Sequence, residues 1–92
     1  TRADGMATRI PDPAALEIIR RGASRIVTVT DDEVAAAIRA YWQDTHNLAE
    51  GAGAAPLAAL MQEQDRMRGR RVALILCGGN IDLDLFRRWV LA

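Results

Sequence analysis

Hydrophobic residues along the chain follow two patterns, helical spacing and short continuous apolar runs. Helical spacing marks four segments, which cover approximately residues 13–22, 31–46, 51–68 and 82–90. Two short runs separate them, residues 26–29 and 72–76, and the first is β-branched at every position. Such runs are typical of β-strands. The pattern therefore predicts the order helix, strand, helix, helix, strand, helix.

Local residues support the predicted starts of the first two helices. Asp12 followed by Pro13 is a common helix start, since an aspartate caps the helix and proline suits its first position. Thr30 and Glu33 have the spacing of a capping box. Gly22 predicts the end of the first helix, in a left-handed conformation.

The alternation of helices and strands predicts an α/β fold. Residues 72–76 are apolar at every position, as expected of a strand in a parallel sheet that is covered on both faces. A right-handed crossover would join the two strands. Two strands make a poor sheet alone, so we expect further strands from another chain or from additional residues. Residues 1–92 are therefore interpreted as a single segment of a larger domain.

Composition and charge exclude several classes of function. Half of the residues are hydrophobic, and twelve acidic residues balance twelve basic ones. All of the basic residues are arginine, so the chain has no lysine. The balanced charge does not favour nucleic acid as a partner, and no apolar run is long enough for a membrane span. Cys77 is the only cysteine, which excludes an internal disulfide and predicts a reducing, cytoplasmic environment. We expect no metal site, because His46 is also alone.

Two glycine-containing motifs are candidates for ligand contact. Cys77, Gly78, Gly79 and Asn80 follow an apolar run and precede a predicted helix, where α/β proteins often bind ligands. Glycines there would let a flat ligand approach the backbone. The same residues also fit a simple turn between a strand and a helix. Glu50, before two glycines, could lie beside a ligand or only favour the positive end of its helix.

Four motifs occur in an order that resembles the carboxyl-terminal third of threonine/serine dehydratases. These are fold-type-II pyridoxal-phosphate-dependent enzymes, and serine racemase is a relative. The resemblance covers essentially the whole chain. The motifs are Ala3-Asp4-Gly5, Ile-Val-Thr-Val-Thr-Asp-Asp-Glu at residues 26–33, Glu-Gly-Ala-Gly-Ala at 50–54, and Cys-Gly-Gly-Asn-Ile-Asp at 77–82.

The resemblance implies that residues of three of these motifs form one wall of a pyridoxal phosphate pocket. Cys77, where relatives usually have serine, would hydrogen-bond the pyridine nitrogen of the cofactor. A neutral group there would favour β-elimination over transamination. The other residues implied to border the cofactor are Gly78, Gly79, Asn80, Glu50, Asp4 and Gly5.

The resemblance also implies a reaction that this chain cannot perform alone. Family members use a lysine to bind the cofactor covalently and to move a proton of the substrate. They convert a small hydroxy amino acid to a 2-keto acid and ammonia. Because the chain has no lysine, we expect no catalytic residue in it and no activity without the rest of the enzyme chain. A homo-oligomer is also expected.

Two alternatives remain open from the sequence. The chain could be a non-catalytic small α/β module for dimerisation or amino-acid binding. It could also belong to the same fold acting as a serine racemase.

Overall fold

The computed structural model describes all 92 residues, and every regular element in it is helical. Helices account for 57% of the residues. The elements are a short 3₁₀ helix (Asp4–Met6), α1 (Pro13–Gly22), α2 (Asp31–Thr45), α3 (Gly51–Gln62), α4 (Gln64–Met67) and α5 (Leu83–Leu85), which continues as one π-helical turn (Phe86–Val90). No helix combines the length and the apolar character that crossing a bilayer requires.

The first residues of α1 and α2 are held by the side chains that the sequence indicates. The Asp12 carboxylate accepts a hydrogen bond from the Ala15 amide at 3.0 Å. The Thr30 hydroxyl accepts from the Glu33 amide at 3.1 Å, and the Glu33 carboxylate accepts from the Thr30 amide at 2.7 Å. Both capping arrangements satisfy amide groups that a helix start leaves without partners. The two predicted helix starts are therefore confirmed.

A small core lies between α2, α3 and the carboxyl-terminal turn. Most of its residues are alanines, which allow helices to approach closely. The core residues are Ala3, Val34, Ala35, Ala37, Ile38, Ala49, Ala54, Ala55, Ala58, Trp89 and Val90. Two hydrogen bonds join the carboxyl-terminal turn to α2. The Trp89 indole donates to the Asp31 carbonyl at 3.2 Å, and Arg39 donates to the Val90 carbonyl at 2.8 Å.

The predicted parallel sheet is absent, so the α/β fold class with a helix-strand-helix-helix-strand-helix order is wrong for this structure. Residues 26–29 and 72–76 are non-helical and form no strand. Nor is the second run covered on both faces, since Ile75 is 78% exposed and Val72 is 44% exposed. A helix forms its backbone hydrogen bonds within one segment, whereas a strand needs the backbone of a neighbour. Neither run has such a neighbour, since no backbone–backbone hydrogen bond involves residues 26–29 or residues 72–76.

Smaller differences concern helix ends. Gly22 is the last residue of α1 and is not left-handed. The left-handed positions are His46, directly after α2, and Gly69, after α4. The last helix is α-helical only over Leu83–Leu85 before it widens into the π-helical turn.

The molecule exposes more surface than its size predicts. Its accessible surface is 7063 Å², whereas a folded monomer of this size exposes about 5,300 Å². Many large apolar side chains contribute to the excess, among them Ile10, Ile18, Ile26, Ile75 and Leu83. A considerable part of the apolar surface is therefore left without a packing partner.

Candidate functional site

Glu50 joins the start of α3 to the segment of residues 77–80. Its amide donates a hydrogen bond to the Gly78 carbonyl at 3.1 Å. Glu50 is half-buried, and its carboxylate accepts no hydrogen bond from the chain. A half-buried carboxylate without a partner can accept a hydrogen bond from a ligand.

Two glycines stand on either side of the Glu50 carboxylate. A Cβ atom added to Gly78 would overlap Oε1 of Glu50, and one added to Gly5 would lie 4.0 Å from Oε2. The same atom on Gly5 would lie only 3.0 Å from the Cβ of Ala52. A larger residue at position 78 would force the carboxylate to move, whereas one at position 5 would press on Ala52. The glycines therefore permit the close approach of residues 5 and 78 to Glu50.

A small polar pocket opens beside Glu50. It has a volume of about 110 Å³, and its lining residues include the acidic Asp4, Glu50 and Asp82, together with Arg2 and Asn80. Gly51, Ile81, Leu85 and Trp89 complete the lining. Three acidic residues and one basic residue line the pocket, which favours ligand groups that donate hydrogen bonds.

Cys77 lies on a different cavity, an apolar groove of about 370 Å³. Its thiol is exposed. The groove is lined by Met6, Val27, Val29, Ala52, Ala55, Pro56, Ala59 and Cys77. Ala52 lines the groove and the preceding residue, Gly51, lines the polar pocket, so both cavities border the start of α3. An apolar groove with one thiol can hold a flat ring and offer it one weak hydrogen bond.

The amino-terminal residues of the site are held in place by Asp31. The Asp31 carboxylate accepts hydrogen bonds from the Thr1 hydroxyl and from the Arg2 amide. These bonds lower the pKa of Asp31 below its usual value, with the Thr1 hydroxyl as the larger cause. The short helix that carries Asp4 and Gly5 is thus anchored to the start of α2.

The structure brings together most of the residues that the sequence singles out. Asp4, Gly5, Gly78 and Asn80 converge on Glu50. Cys77 faces the groove instead, and a Cβ atom on Gly79 would overlap the Leu48 carbonyl. Gly79 is therefore required for close backbone packing.

Two pocket residues, Arg2 and Asp82, are not among the residues that the sequence assigns to the cofactor pocket. Asp82 is the last residue of the motif at 77–82, and Arg2 directly precedes the Ala3-Asp4-Gly5 motif; these positions are the signal that the sequence offers. No cluster of three or more His, Cys, Asp or Glu side chains is arranged as metal ligands.

Known proteins provide an independent comparison. A family model described as pyridoxal-phosphate dependent enzyme matches residues 1–78. L-threonine ammonia-lyase of Thermotoga maritima is 35% identical over 88 residues, which is 96% of this chain and 22% of that protein. L-threonine ammonia-lyase of Geobacter sulfurreducens is 41% identical over 83 residues, 90% of this chain and 21% of that protein.

A third relative has a different substrate in its name. L-threo-3-hydroxyaspartate ammonia-lyase of a Pseudomonas species is 35% identical over 86 residues, 94% of this chain and 27% of that protein. The chain thus spans about a fifth to a quarter of the length of these relatives. No solved structure gives a significant match. Because the family model covers most of the residues, the chain belongs to the family of pyridoxal-phosphate dependent enzymes.

Proposed function

We propose that the chain forms one wall of the cofactor pocket in a pyridoxal-phosphate-dependent ammonia-lyase. The enzyme would release ammonia from a small hydroxy amino acid and leave a 2-keto acid. Three relatives named as ammonia-lyases of threonine or hydroxyaspartate support this activity. The observation that carries the proposal is the convergence of Gly5, Gly78 and the free Glu50 carboxylate beside a groove that contains Cys77.

Cys77 is proposed to contact the cofactor ring. Its exposed thiol lies on an apolar groove and can exchange one weak hydrogen bond with a ring nitrogen. A neutral thiol stabilises a protonated ring less than a carboxylate does. The cofactor, when bound, supplies an electron sink for the carbon next to the substrate amino group. Cys77 would moderate that sink.

Glu50, Gly78 and Gly79 are proposed to shape the same wall. Without side chains, Gly78 leaves room for the Glu50 carboxylate and Gly79 for the Leu48 carbonyl, so the two glycines let the wall pack closely behind a ligand. That carboxylate can accept a hydrogen bond from the ligand because nothing in the chain occupies it. Asp4 and Asn80 would border the adjoining polar pocket.

The covalent attachment of the cofactor must come from outside these residues, because the chain has no lysine. We propose that residues 1–92 are the carboxyl-terminal segment of a larger catalytic domain. The excess of exposed surface, 7063 Å² against about 5,300 Å², supports a large covered area in that domain. A homo-oligomeric state and a cytoplasmic location stay predictions.

The test measures ammonia and 2-keto acid release by the purified enzyme that contains this chain. L-threonine, L-serine and L-threo-3-hydroxyaspartate are the substrates. Cys77→Ser keeps a neutral donor, whereas Cys77→Ala removes it. We expect C77A to lose about tenfold in kcat and C77S to lose little, since one hydrogen bond contributes about 1.4 kcal/mol.

Three results would contradict the proposal. They are the absence of 2-keto acid from all three substrates, conversion of L-serine mainly to D-serine, and equal activity of C77A and C77S. The isolated 92-residue chain serves as a control, since it should show no absorption band of a lysine-bound cofactor.

A further inference from the structure

A basic cleft lies at the opposite end of α3 from Glu50. With twelve residues, α3 is about 18 Å long, which separates the two places. The cleft has a volume of about 400 Å³ and is lined by Ser24, Arg25, Val27, Arg66, Met67 and Arg70. None of these residues lines the Glu50 pocket, and Val27 is the one residue that the cleft shares with the groove of Cys77. The arginines of the cleft have no part in the function proposed above.

The charges in the cleft are only partly neutralised. Arg25 donates from both terminal nitrogens to the Glu63 carboxylate. Arg66 and Arg70 form no ion pair with any carboxylate. The hydrogen bonds from Arg25 lower the pKa of Glu63, and the charge of Arg66 lowers it further. Glu63 is therefore charged at neutral pH, and of the three arginines that line the cleft only Arg25 pairs with a carboxylate.

The backbone places the two unpaired arginines on the same cleft. Gly69 has a φ of 78°, a left-handed conformation that glycine adopts without strain. The chain folds back there, and the Arg70 amide donates to the Met67 carbonyl at 3.0 Å. The turn returns Arg70 to the side of α4 that carries Arg66, so the positive charges are concentrated by the fold.

The chemistry of the cleft suits one kind of ligand. A guanidinium group presents a planar set of donors that matches the oxygens of a phosphate. The volume of about 400 Å³ falls in the usual range of small-molecule sites. Val27 and Met67 add an apolar wall beside the arginines. We propose that this cleft binds the phosphate group of a small phosphomonoester, with the organic part against Val27 and Met67.

The first measurement is calorimetric titration of the purified enzyme with phenyl phosphate and with inorganic phosphate, at constant ionic strength. We expect saturable binding of both, and phenyl phosphate should bind several-fold more tightly because of the apolar wall. Equal affinities would assign the cleft to free phosphate and overturn the phosphomonoester. No saturable binding up to about 10 mM of either compound would overturn the site itself.

The second measurement repeats the phenyl phosphate titration with variants. Arg66→Gln and Arg70→Gln should each weaken binding about tenfold, the effect of one lost charge-assisted contact. Arg71→Gln is the matched control, since it removes the same charge next to the cleft but outside its lining. An equal loss of affinity in R71Q would mean that only the overall positive charge matters, which would contradict a specific site.

Glu63→Gln separates a binding cleft from a purely structural ion pair. Removing this carboxylate frees Arg25 and takes away the negative charge that pairs with it and opposes a phosphate. We expect E63Q to bind phenyl phosphate several-fold more tightly. Unchanged or weaker binding by folded E63Q would contradict the assignment. Arg66 and Arg70 are exposed, so R66Q and R70Q should fold and test phosphate binding in the cleft even if E63Q does not fold.

Discussion

α1 and α3 are helices of similar length with opposite relations to the core. α1 buries no residue, although it carries large apolar side chains such as Ile18, which is 71% exposed. α3 buries five residues, and all of them are small: Gly51, Gly53, Ala54, Ala55 and Ala58. The apolar side chains of α1 meet no other helix, whereas the small side chains of α3 pack against α2.

The difference teaches that the size of an apolar side chain does not decide burial in this molecule. Small residues let α3 approach α2 and the backbone of Gly78. The same close approach positions Glu50, which directly precedes α3, against the Gly78 carbonyl. The packing of α3 and the geometry of the candidate site therefore depend on each other.

The largest contrast is expected from truncating one isoleucine in the core beside α3 and one on the exposed helix α1. Ile38 is fully buried in the cluster that contains the alanines of α3. Ile38→Ala should lower the free energy of unfolding by about 2–5 kcal/mol, because it leaves a cavity. Ile18→Ala on α1 should change it by no more than about 0.5 kcal/mol. Urea unfolding followed by circular dichroism measures both. Equal losses would mean that α1 is covered in solution.

A smaller contrast with opposite signs is expected from adding one methyl group to a glycine in each helix. At Gly53 a Cβ atom would lie 2.6 Å from the Gly78 carbonyl oxygen, whereas at Gly22 nothing lies within 4 Å. Gly53→Ala should destabilise the chain by about 1–3 kcal/mol through overpacking. Gly22→Ala should stabilise it by about 0.4–1 kcal/mol. Thermal unfolding checks both signs, and a stable G53A would show that α3 can move away from Gly78.

The smallest contrast concerns how stability changes at acidic pH. The Glu33 carboxylate accepts hydrogen bonds from the Thr30 amide and from Gln62 of α3, and these bonds lower its pKa. The folded form then binds protons less readily than the unfolded form. The resulting stabilisation is complete above the ordinary glutamate pKa and disappears as the pH falls through the lowered value.

The measurement compares melting temperatures between pH 3 and pH 6, a range of about one unit or more on either side of the ordinary pKa. Glu33→Gln should flatten the rise of the melting temperature with pH. Glu17→Gln on α1 is the control, because Glu17 is exposed and pairs only with Arg21 of its own helix. If E17Q flattens the profile as much as E33Q, the link between Glu33 and α3 contributes nothing in solution.

Sequence reasoning succeeds here where the deciding interactions are local. The starts of α1 and α2 depend on hydrogen bonds between residues three positions apart, such as Thr30 and Glu33, and these are readable from the sequence. The strand predictions fail because a strand requires a distant backbone. The apolar run that ends before Cys77 has no such neighbour, and Ile75 is left exposed.

The candidate site is predicted to a similar extent. Family resemblance selects Glu50 and Gly78, and the structure joins them by a hydrogen bond. The resemblance could not indicate that Cys77 faces a different cavity, since the direction of a side chain depends on tertiary packing. For the same reason, the sequence does not assign Arg2 and Asp82 to the pocket, although Asp82 closes one of the motifs.

The two tryptophans lie in different environments, so the intrinsic fluorescence of the molecule can report on one of them separately. Trp89 is 6% exposed, and its ring would lie 3.1 Å from a Cβ atom on Gly51, next to Glu50. Trp42 is 48% exposed. An aqueous quencher such as iodide would therefore quench mainly the fluorescence of Trp42. The emission that remains comes from Trp89, so its wavelength follows events at the start of α3 without any added label.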